Sequence, residues 1–277
     1  MNFDIFIGVD GTGPASNTEY TDAFSKSFVK RLSEHSRFQR KIYLRGPTWD
    51  GIATGSLARA AAFAAKTLRD IKTGAATPRL FLCGYSRGGA AVIQAAHFLN
   101  ADGIPVHALI LFDAVARTVT YEKTWIPSNV AYSRHAQRRK DTDSRTSFGN
   151  CGTQKETGPN SKGANAKAQE FFTTHGGMGG TPWGAGATTS DGFITERAPG
   201  VSAALRVAVP IVGAGFPIAA VALAIGSAVY ESTMRTKVSP KKDASGSQEV
   251  WNWMANHLSS VQYTRPTPSG WAQGNRI

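Results

Sequence analysis

Residues 79–90 read Arg-Leu-Phe-Leu-Cys-Gly-Tyr-Ser-Arg-Gly-Gly-Ala, and this stretch decides the predicted fold. Its first half is an apolar run typical of a buried strand, and a helical pattern continues from Ala90 to Leu99. Between the two lies a Gly-x-Ser-x-Gly motif. Small residues around a serine at a strand-to-helix junction are typical of a strained turn that exposes the hydroxyl at the C-terminal edge of a sheet. We therefore predict that Ser86 is a nucleophile.

The same motif provides a candidate for stabilising negative charge. A helix that starts directly after Ser86 directs the backbone N–H of Arg87 at the position of a developing oxyanion. The alternative interpretation is a structural turn, because a chain with 29 glycines can match so short a pattern by chance. The flanking strand and helix favour the nucleophile.

Strand and helix patterns alternate on both sides of this motif. Strand-like runs lie at residues 5–9, 41–44 and 106–112, and helical patterns lie at residues 18–35 and 56–71. Such alternation requires right-handed crossovers and gives a mainly parallel sheet flanked by helices. The predicted fold class is α/β, and 277 residues are compatible with one large domain.

The composition excludes several classes of protein. With 41% hydrophobic and 18% charged residues, the chain is not an intrinsically disordered polyelectrolyte. Two cysteines exclude a disulfide framework and a four-thiolate zinc site; we expect Cys83 in the core and Cys151 at the surface. The formal net charge of +12 favours an anionic partner, either nucleic acid or a phospholipid surface.

The N-terminus lacks the basic segment and the long apolar run of a secretory signal. We therefore expect the chain to be made in the cytoplasm, without a signal peptide, unless a dedicated secretion machine exports it.

A nucleophilic serine needs a base, and the base needs an acid to orient it. His175 is the favoured base because it follows an aromatic pair and is flanked by glycines; His257, on the last predicted helix, is the rival. The other histidines are expected in structural positions: His35 and His97 at helix ends or facing solvent, His107 in the core and His135 in a basic loop.

The favoured acid is Asp113, which ends the apolar strand at residues 106–112. An acid at this end of a parallel strand points into the same crevice as Ser86. Asp143 is the alternative acid, together with its neighbour Asp141, and the structural interpretation of both is an ion pair with a nearby arginine.

The second half of the chain is less regular. Residues 133–170 are rich in basic and small polar residues and predict a long loop, while residues 248–260 predict a helix. Residues 207–229 form a run without a formal charge, and this run is long enough to span a bilayer. This run predicts a buried helix pair, a lid or membrane-inserting hairpin, or a transmembrane anchor. Flanking basic residues between 197 and 237 fit contact with anionic headgroups.

Four motifs in a fixed order carry a family resemblance. They are residues 7–13 (Ile-Gly-Val-Asp-Gly-Thr-Gly), 84–88 (Gly-Tyr-Ser-Arg-Gly), 111–115 (Leu-Phe-Asp-Ala-Val) and 175–180 (His-Gly-Gly-Met-Gly-Gly). This set resembles the α/β-hydrolase domain of bacterial phospholipase effectors delivered by type VI secretion, and of a wide uncharacterised hydrolase family with the same domain. The similarity covers residues 3–180 and the closing helix at 248–260.

The resemblance implies an α/β-hydrolase fold and a triad of Ser86, Asp113 and His175, with Gly11 and Thr12 beside the oxyanion hole. It also implies export by a secretion system and an immunity or secretion partner. The chain departs from the family at Gly177, where an acidic residue is usual, and through milder changes at Tyr85 and Gly89. Residues 181–247 have no counterpart in the family and are expected to form an insertion within a single domain of residues 1–277.

Asp10 has two interpretations, a residue that shapes the oxyanion loop by accepting backbone N–H bonds and a contributor to a metal site. No cluster of histidines and carboxylates has ligand spacing, so we expect neither a metal nor a cofactor.

The leading hypothesis is a serine esterase acting on lipid, in particular a phospholipase. The alternatives are a soluble carboxylesterase or thioesterase, and a non-catalytic binding protein; no nucleic-acid motif is recognisable.

Overall fold

The computed structural model describes residues 2–35, 38–48, 54–71, 77–116, 124–146, 148–156, 165–183, 191–196 and 235–261. The uncharged run at residues 207–229, with its three interpretations, lies outside the described residues, as does most of the expected insertion at 181–247. Within the described part of the chain, no helix is long and apolar enough to cross a membrane.

A six-stranded parallel sheet forms the centre of the protein. Its strands are β1 (Asn2–Val9), β2 (Arg40–Leu44), β3 (Thr77–Tyr85), β4 (Val106–Phe112), β6 (Val130–Arg138) and β8 (Asn165–Phe171). Their order across the sheet is β2-β1-β3-β4-β6-β8. Two short strands, β5 (Val115–Ala116) and β7 (Gly149–Asn150), form a separate antiparallel pair. Because the six strands are parallel, their C-terminal ends meet at one edge of the sheet.

Helices cover both faces of this sheet. They are α1 (Asn17–Phe24), α2 (Phe28–His35), α3 (Thr54–Asp70), α4 (Arg87–Ala101), the short α5 (His175–Met178) and α6 (Pro240–Val261). Along β1, Ile5 and Ile7 pack with α3 and α4, whereas Phe6 packs with α1, α2 and α6. This alternation follows from the two-residue period of a strand, and it explains why the central strands are apolar throughout. The α/β class with a mainly parallel sheet is confirmed.

The prediction of a long loop at residues 133–170 is wrong. The region contains most of β6 and all of β8 except its last residue, Phe171. β8 lies at the edge of the sheet and most of its side chains are exposed, so a polar sequence is compatible with a strand there. On β6 the polar side chains of Ser133, Arg134 and His135 are buried, and local composition does not reveal this.

Helix boundaries differ from the predictions at two places. The helical pattern at residues 18–35 is split into α1 and α2, because the Ser27 hydroxyl accepts the backbone N–H of Lys30 and begins a new helix there. Helix α6 starts at Pro240 rather than at residue 248, with the proline in the first turn, where its missing N–H costs little.

Two predicted surface residues are buried. Cys151 is 2% exposed, because it follows β7 and packs in the core next to β4 and α4. His97 is 6% exposed, and its Nε2 lies 2.9 Å from the carbonyl oxygen of Trp125. His107 lies on β4 as expected, with Nε2 at 2.9 Å from the carbonyl oxygen of Val261.

Candidate active site

Ser86 occupies the turn between β3 and α4, at the C-terminal edge of the sheet. Its backbone has φ 54° and ψ −126°, a conformation that non-glycine residues rarely adopt. A Cβ atom at Gly84 would lie 2.5 Å from the carbonyl oxygen of Gly88, and one at Gly88 would lie 2.2 Å from the carbonyl oxygens of Val9 and Asp10. The turn therefore closes only with glycine on both sides of the serine.

His175 lies at the first residue of α5 and approaches Ser86 from the opposite side of the crevice. Its Nε2 is 2.8 Å from Ser86 Oγ. Its backbone is fixed by two hydrogen bonds: its N–H donates to Ser144 Oγ at 2.7 Å, and its carbonyl accepts the Tyr85 hydroxyl at 2.8 Å. The imidazole lies between the rings of Tyr85 and Phe148, with ring centroids 5.1 Å from each. These contacts hold the imidazole in one orientation.

Asp113 follows the last residue of β4 and is fully buried. Its Oδ2 lies 2.6 Å from His175 Nδ1, so the imidazole tautomer with hydrogen on Nδ1 donates to the carboxylate and leaves Nε2 to accept from Ser86. Asp113 itself has φ 42°, and the next N–H, of Ala114, donates to His135 Nε2 at 3.2 Å. His135, expected in a loop, thus supports the turn that carries Asp113.

A second cation contacts the same carboxylate. Nη1 of Arg138, from the end of β6, lies 2.5 Å from Asp113 Oδ2, and the backbone N–H of Arg138 donates to Oδ1 at 3.3 Å. Burial raises the pKa of Asp113, but the Arg138 guanidinium and the hydrogen bond from His175 outweigh it and hold that pKa below its ordinary value. Asp113 is therefore ionised at neutral pH.

The histidines at this edge of the sheet are held neutral. Burial, the largest single cause, and the charges of Arg138 and Arg145 together lower the pKa of His175 more than Asp113 raises it. Burial also lowers the pKa of His135, to about 4. A neutral His175 between an ionised carboxylate and a hydroxyl is prepared to accept a proton.

The alternative acid and base have other partners. Asp143 Oδ2 pairs with Lys237 Nζ at 2.9 Å, and Asp141 pairs with Arg139. His257 packs against Trp253 on α6, with ring centroids 4.6 Å apart. The structure therefore brings Asp113 and His175 into contact with Ser86. The alternative residues Asp143, Asp141 and His257 contact other side chains instead.

The loop after β1 contributes the other side of the predicted oxyanion hole. The backbone N–H of Gly11 donates to Asp10 Oδ1 at 2.9 Å, so it is not directed at a substrate, contrary to the prediction for Gly11. Among the described residues, nothing accepts the backbone N–H of Thr12, and Thr12 lines the cavity beside Ser86 and Arg87. Thr12 and Arg87 therefore remain the candidate donors to an oxyanion at this site.

Asp10 shapes this loop from below. Besides the N–H of Gly11, its carboxylate accepts the hydroxyls of Ser27 and of Tyr43, the latter at 3.0 Å. Asp10 is fully buried, and burial raises its pKa to about 6. Of its two interpretations, the contacts favour the structural one. Within the described residues, no three histidine, cysteine or carboxylate side chains are grouped so that they could hold a metal ion.

The Arg87 side chain connects the nucleophile turn to the same loop. Its guanidinium donates to Thr12 Oγ1 at 3.4 Å and to Thr54 Oγ1, at the start of α3, at 2.6 Å. The Arg87 side chain thus links the start of α4 to the loop after β1 and to the start of α3.

A cavity of about 450 Å³ opens next to Ser86 and His175. Its lining includes the apolar side chains of Pro14, Phe24, Phe148, Pro182 and Trp183. The Arg145 and Glu196 side chains also reach it. Apolar walls with a few polar groups are typical of sites that bind small molecules.

Glu196 was not predicted from the sequence. It is 1% exposed; both carboxylate oxygens lie 2.9 Å from Ser144 Oγ, and Oε2 accepts the backbone N–H of Arg145 at 3.1 Å. Burial raises the pKa of Glu196 above its ordinary value. Since Ser144 also accepts the backbone N–H of His175, Glu196 supports His175 through one intervening hydroxyl.

The chain is drawn together on both sides of residues 197–234. Thr195 pairs with Arg235 in an antiparallel bridge, and the N–H of Ile194 donates to the carbonyl of Val238 at 2.9 Å. The N–H of Thr236 returns a bond to the carbonyl of Ile194 at 3.0 Å. We call this pairing the 194–238 ladder. Its first segment ends at Thr195, directly before Glu196, and the ladder therefore lies beside the cavity.

Asp243, on the first turn of α6, was also missed. It accepts the backbone N–H groups of Thr174 and Trp183 at 2.7 and 2.8 Å, and the hydroxyl of Thr173 at 2.6 Å. A Cβ atom at Gly177 would lie 2.5 Å from Asp243 Oδ1. The unusual glycine at 177 was the signal in the sequence, because it leaves room for a carboxylate that comes from elsewhere.

Comparison with known proteins does not assign a family. No family model matches the chain, and no curated protein matches it either. Among solved structures, an uncharacterized protein from Pseudomonas aeruginosa is similar over 66% of this chain, with 15% sequence identity and a TM-score of 0.39. The match spans 42% of that protein's own chain. Function therefore has to be inferred from the geometry of the site.

Proposed function

We propose that this protein is a serine hydrolase of the α/β-hydrolase fold that cleaves ester bonds in lipids, most specifically a phospholipase. The observation that carries the proposal is the continuous chain of contacts from Ser86 Oγ to His175 Nε2 at 2.8 Å and from His175 Nδ1 to Asp113 Oδ2 at 2.6 Å. It lies at the C-terminal edge of a parallel sheet, on a strained strand-to-helix turn.

The first half-reaction forms an acyl-enzyme. Ser86 Oγ attacks the ester carbonyl carbon while its proton moves to His175 Nε2, and Asp113 stabilises the imidazolium that results. The carbonyl oxygen becomes an oxyanion, which accepts the backbone N–H groups of Thr12 and Arg87. The tetrahedral intermediate expels the alcohol, and the alcohol oxygen takes the proton from His175 Nε2.

The second half-reaction releases the fatty acid. Water gives a proton to His175 Nε2 and attacks the acyl carbon, forming a second oxyanion at the same two N–H groups. When this intermediate collapses, the bond between Ser86 Oγ and the acyl carbon breaks, and His175 returns the proton to Ser86. The products are a carboxylic acid and the regenerated hydroxyl.

Several features favour lipid over small soluble esters. The cavity beside Ser86 has aromatic walls, formed by Phe24, Phe148 and Trp183, that suit an acyl chain. The 194–238 ladder joins the ends of residues 197–234 beside this cavity, and the uncharged run 207–229 belongs to that segment. We propose that residues 197–237 contact a membrane surface whose anionic headgroups attract the flanking basic residues.

The resemblance of the four motifs extends the proposal. Export by a type VI secretion system, action at a target membrane and neutralisation by an immunity partner form one consistent proposal for a chain made in the cytoplasm. A soluble carboxylesterase or thioesterase with the same triad, and a binding protein without turnover, are the outcomes that would replace it.

The test compares the wild-type protein with Ser86→Ala and with Ser245→Ala, a control on the exposed surface of α6. Vesicles of mixed phosphatidylethanolamine and phosphatidylglycerol and a soluble short-chain ester are the two substrates, with released fatty acid measured by mass spectrometry. We expect turnover of vesicles to fall at least about a thousandfold in Ser86→Ala and to be unchanged in Ser245→Ala.

Three results would contradict parts of the proposal. Undiminished turnover by Ser86→Ala contradicts the mechanism. A clear preference of the wild type for the soluble ester contradicts the lipid substrate. Absence of turnover on either substrate, together with failure of Ser86 to react with a fluorophosphonate probe, favours the binding protein.

A further inference from the structure

Arg138 is a buried cation placed directly against the proposed triad. Its side chain is 7% exposed, and Nη1 lies 2.5 Å from Asp113 Oδ2, the same oxygen that His175 Nδ1 contacts at 2.6 Å. The distance from Nη1 to His175 Nδ1 is 3.2 Å. One carboxylate oxygen therefore receives two donors that are themselves in contact.

Arg138 is also held by contacts outside the triad. Nη2 donates to the carbonyl oxygen of Arg145 at 3.3 Å, and the backbone is held in β6 between β4 and β8. The guanidinium therefore links the Asp113 carboxylate to β6 and to the segment that carries Arg145.

The charge of Arg138 acts on each step in which His175 gains a proton. When His175 becomes an imidazolium, its new charge lies beside the guanidinium, and like charges at this separation in a buried site repel strongly. Asp113 opposes this repulsion. The charged and titratable groups around His175 are Ser86 and Tyr85 from β3 and its turn, Asp113 from β4, Arg138 from β6, and Arg145 and Glu196 from the cavity wall.

We propose that Arg138 is a positioning residue of the triad, which orients the Asp113 carboxylate and whose charge adds to burial in keeping His175 neutral, and thus able to act as a base, at mildly acidic pH. This inference rests on the proposed hydrolase function. Proton transfer from Ser86 to His175 would then continue at a pH where a histidine paired only with a carboxylate is already protonated.

The experiment uses three variants of the full chain. Arg138→Gln keeps a donor for Asp113 and removes the charge, whereas Arg138→Lys keeps the charge. Arg134→Gln is the matched control, because Arg134 is another buried arginine on β6 and contacts Ser133 and Asn165 rather than the triad. Two quantities are measured: the pH dependence of kcat/KM, and the titration of the His175 imidazole by NMR, assigned by its absence in His175→Gln.

We expect Arg138→Gln to raise the pKa of His175 by about one pH unit and to move the acid limb of kcat/KM upward by the same amount. Arg138→Lys and Arg134→Gln are expected to leave the acid limb where it is in the wild type. A residue with a purely structural role would lower the thermal unfolding temperature without moving either titration.

Contrary results are distinguishable from a failure of the proposed function. A folded Arg138→Gln protein with an unmoved His175 titration overturns the inference and leaves the hydrolase intact. A pKa above 6.5 for His175 in the wild-type protein would also overturn the inference, and this measurement needs no Arg138 variant. Because NMR needs no turnover, an inactive protein in which Arg138→Gln still shifts His175 contradicts the proposed function alone.

Discussion

Ser86 holds a backbone conformation that its neighbours make possible. The positive φ of the serine is accommodated because Gly84 and Gly88 let two backbone segments approach within contact distance. The strain is thus stored at the residue with the chemistry, and the packing of β1 against the start of α4 maintains it.

Because Gly88 is packed so closely, adding a single methyl group there is expected to destabilise the fold. In Gly88→Ala, the new Cβ would lie 2.2 Å from the carbonyl oxygens of Val9 and Asp10, and backbone atoms of a central strand cannot move away cheaply. We expect a loss of at least about 3 kcal/mol in the free energy of unfolding, measured by urea denaturation. Gly55→Ala, on α3, meets no atom within 4 Å and is expected to change stability by less than about 1 kcal/mol. Equal losses in the two variants would contradict this account.

Asp10 predicts a pH dependence of stability. Burial raises its pKa from an ordinary 3.8 to about 6 in the folded protein. A carboxyl whose pKa is higher in the folded than in the unfolded protein stabilises the fold at pH values below the unfolded-state pKa. That contribution is lost as the pH rises through the folded-state pKa. Between about pH 4 and pH 6, the free energy of unfolding of the wild type should therefore fall by about 2 kcal/mol relative to Asp10→Asn. Urea denaturation of both proteins at each pH tests this, and parallel curves would count against it.

At the scale of elements, the last helix of the fold supports the proposed base. Asp243 on α6 accepts two backbone N–H groups, from Thr174 and Trp183, on either side of α5. Helix α6 packs on the sheet through Trp251 and Met254, so its rigidity is transmitted to the loop that carries His175.

This arrangement predicts unequal effects for two acidic residues of α6. Asp243→Ala leaves buried N–H groups without an acceptor, and we expect a loss of about 2–4 kcal/mol in stability together with at least a tenfold fall in kcat/KM. Glu249→Ala, on the exposed face of the same helix, should change neither quantity measurably. Ester hydrolysis and thermal unfolding of both variants test the prediction. A normal kcat/KM in Asp243→Ala would show that α6 does not position His175.

The elements and residues that could be predicted share a physical basis. Strands β1, β3 and β4 are apolar because both faces are covered, and Ser86, Asp113 and His175 follow from a motif, a strand end and chain order. β6 and β8 could not be predicted, because one buries polar side chains in tertiary contacts and the other is an exposed edge. Arg138, Glu196 and Asp243 come from distant parts of the chain, and local sequence does not indicate which charges a fold brings together.

At the scale of the whole molecule, the net charge of +12 makes the proposed membrane contact testable. We expect Ser86→Ala, used so that no lipid is consumed, to sediment with vesicles rich in phosphatidylglycerol at low salt and to be released by about 0.5 M salt, where the Debye length is short. Vesicles of phosphatidylcholine alone provide the control. Binding that is insensitive to both salt and headgroup would contradict an electrostatic attraction.

The 194–238 ladder predicts that residues 197–234 can be removed. Because Thr195 and Arg235 are paired, a short glycine–serine linker can join Glu196 to Arg235 with little closure entropy. We expect the shortened protein to unfold at the same temperature and to hydrolyse the soluble ester as before, while its turnover of vesicles is lost. Failure of the shortened protein to fold would show that the segment belongs to the core.

A ladder of this kind also has an evolutionary consequence. Where two chain segments pair on either side of an insertion, foreign sequence can be acquired, exchanged or discarded without disturbing the rest of a fold. Since the ladder lies beside the cavity, we expect such exchanges at this position to alter what reaches Ser86 and to leave Ser86, His175 and Asp113 in place. On the proposed function, the reacting residues and the choice of target would then be inherited as separate parts of one gene.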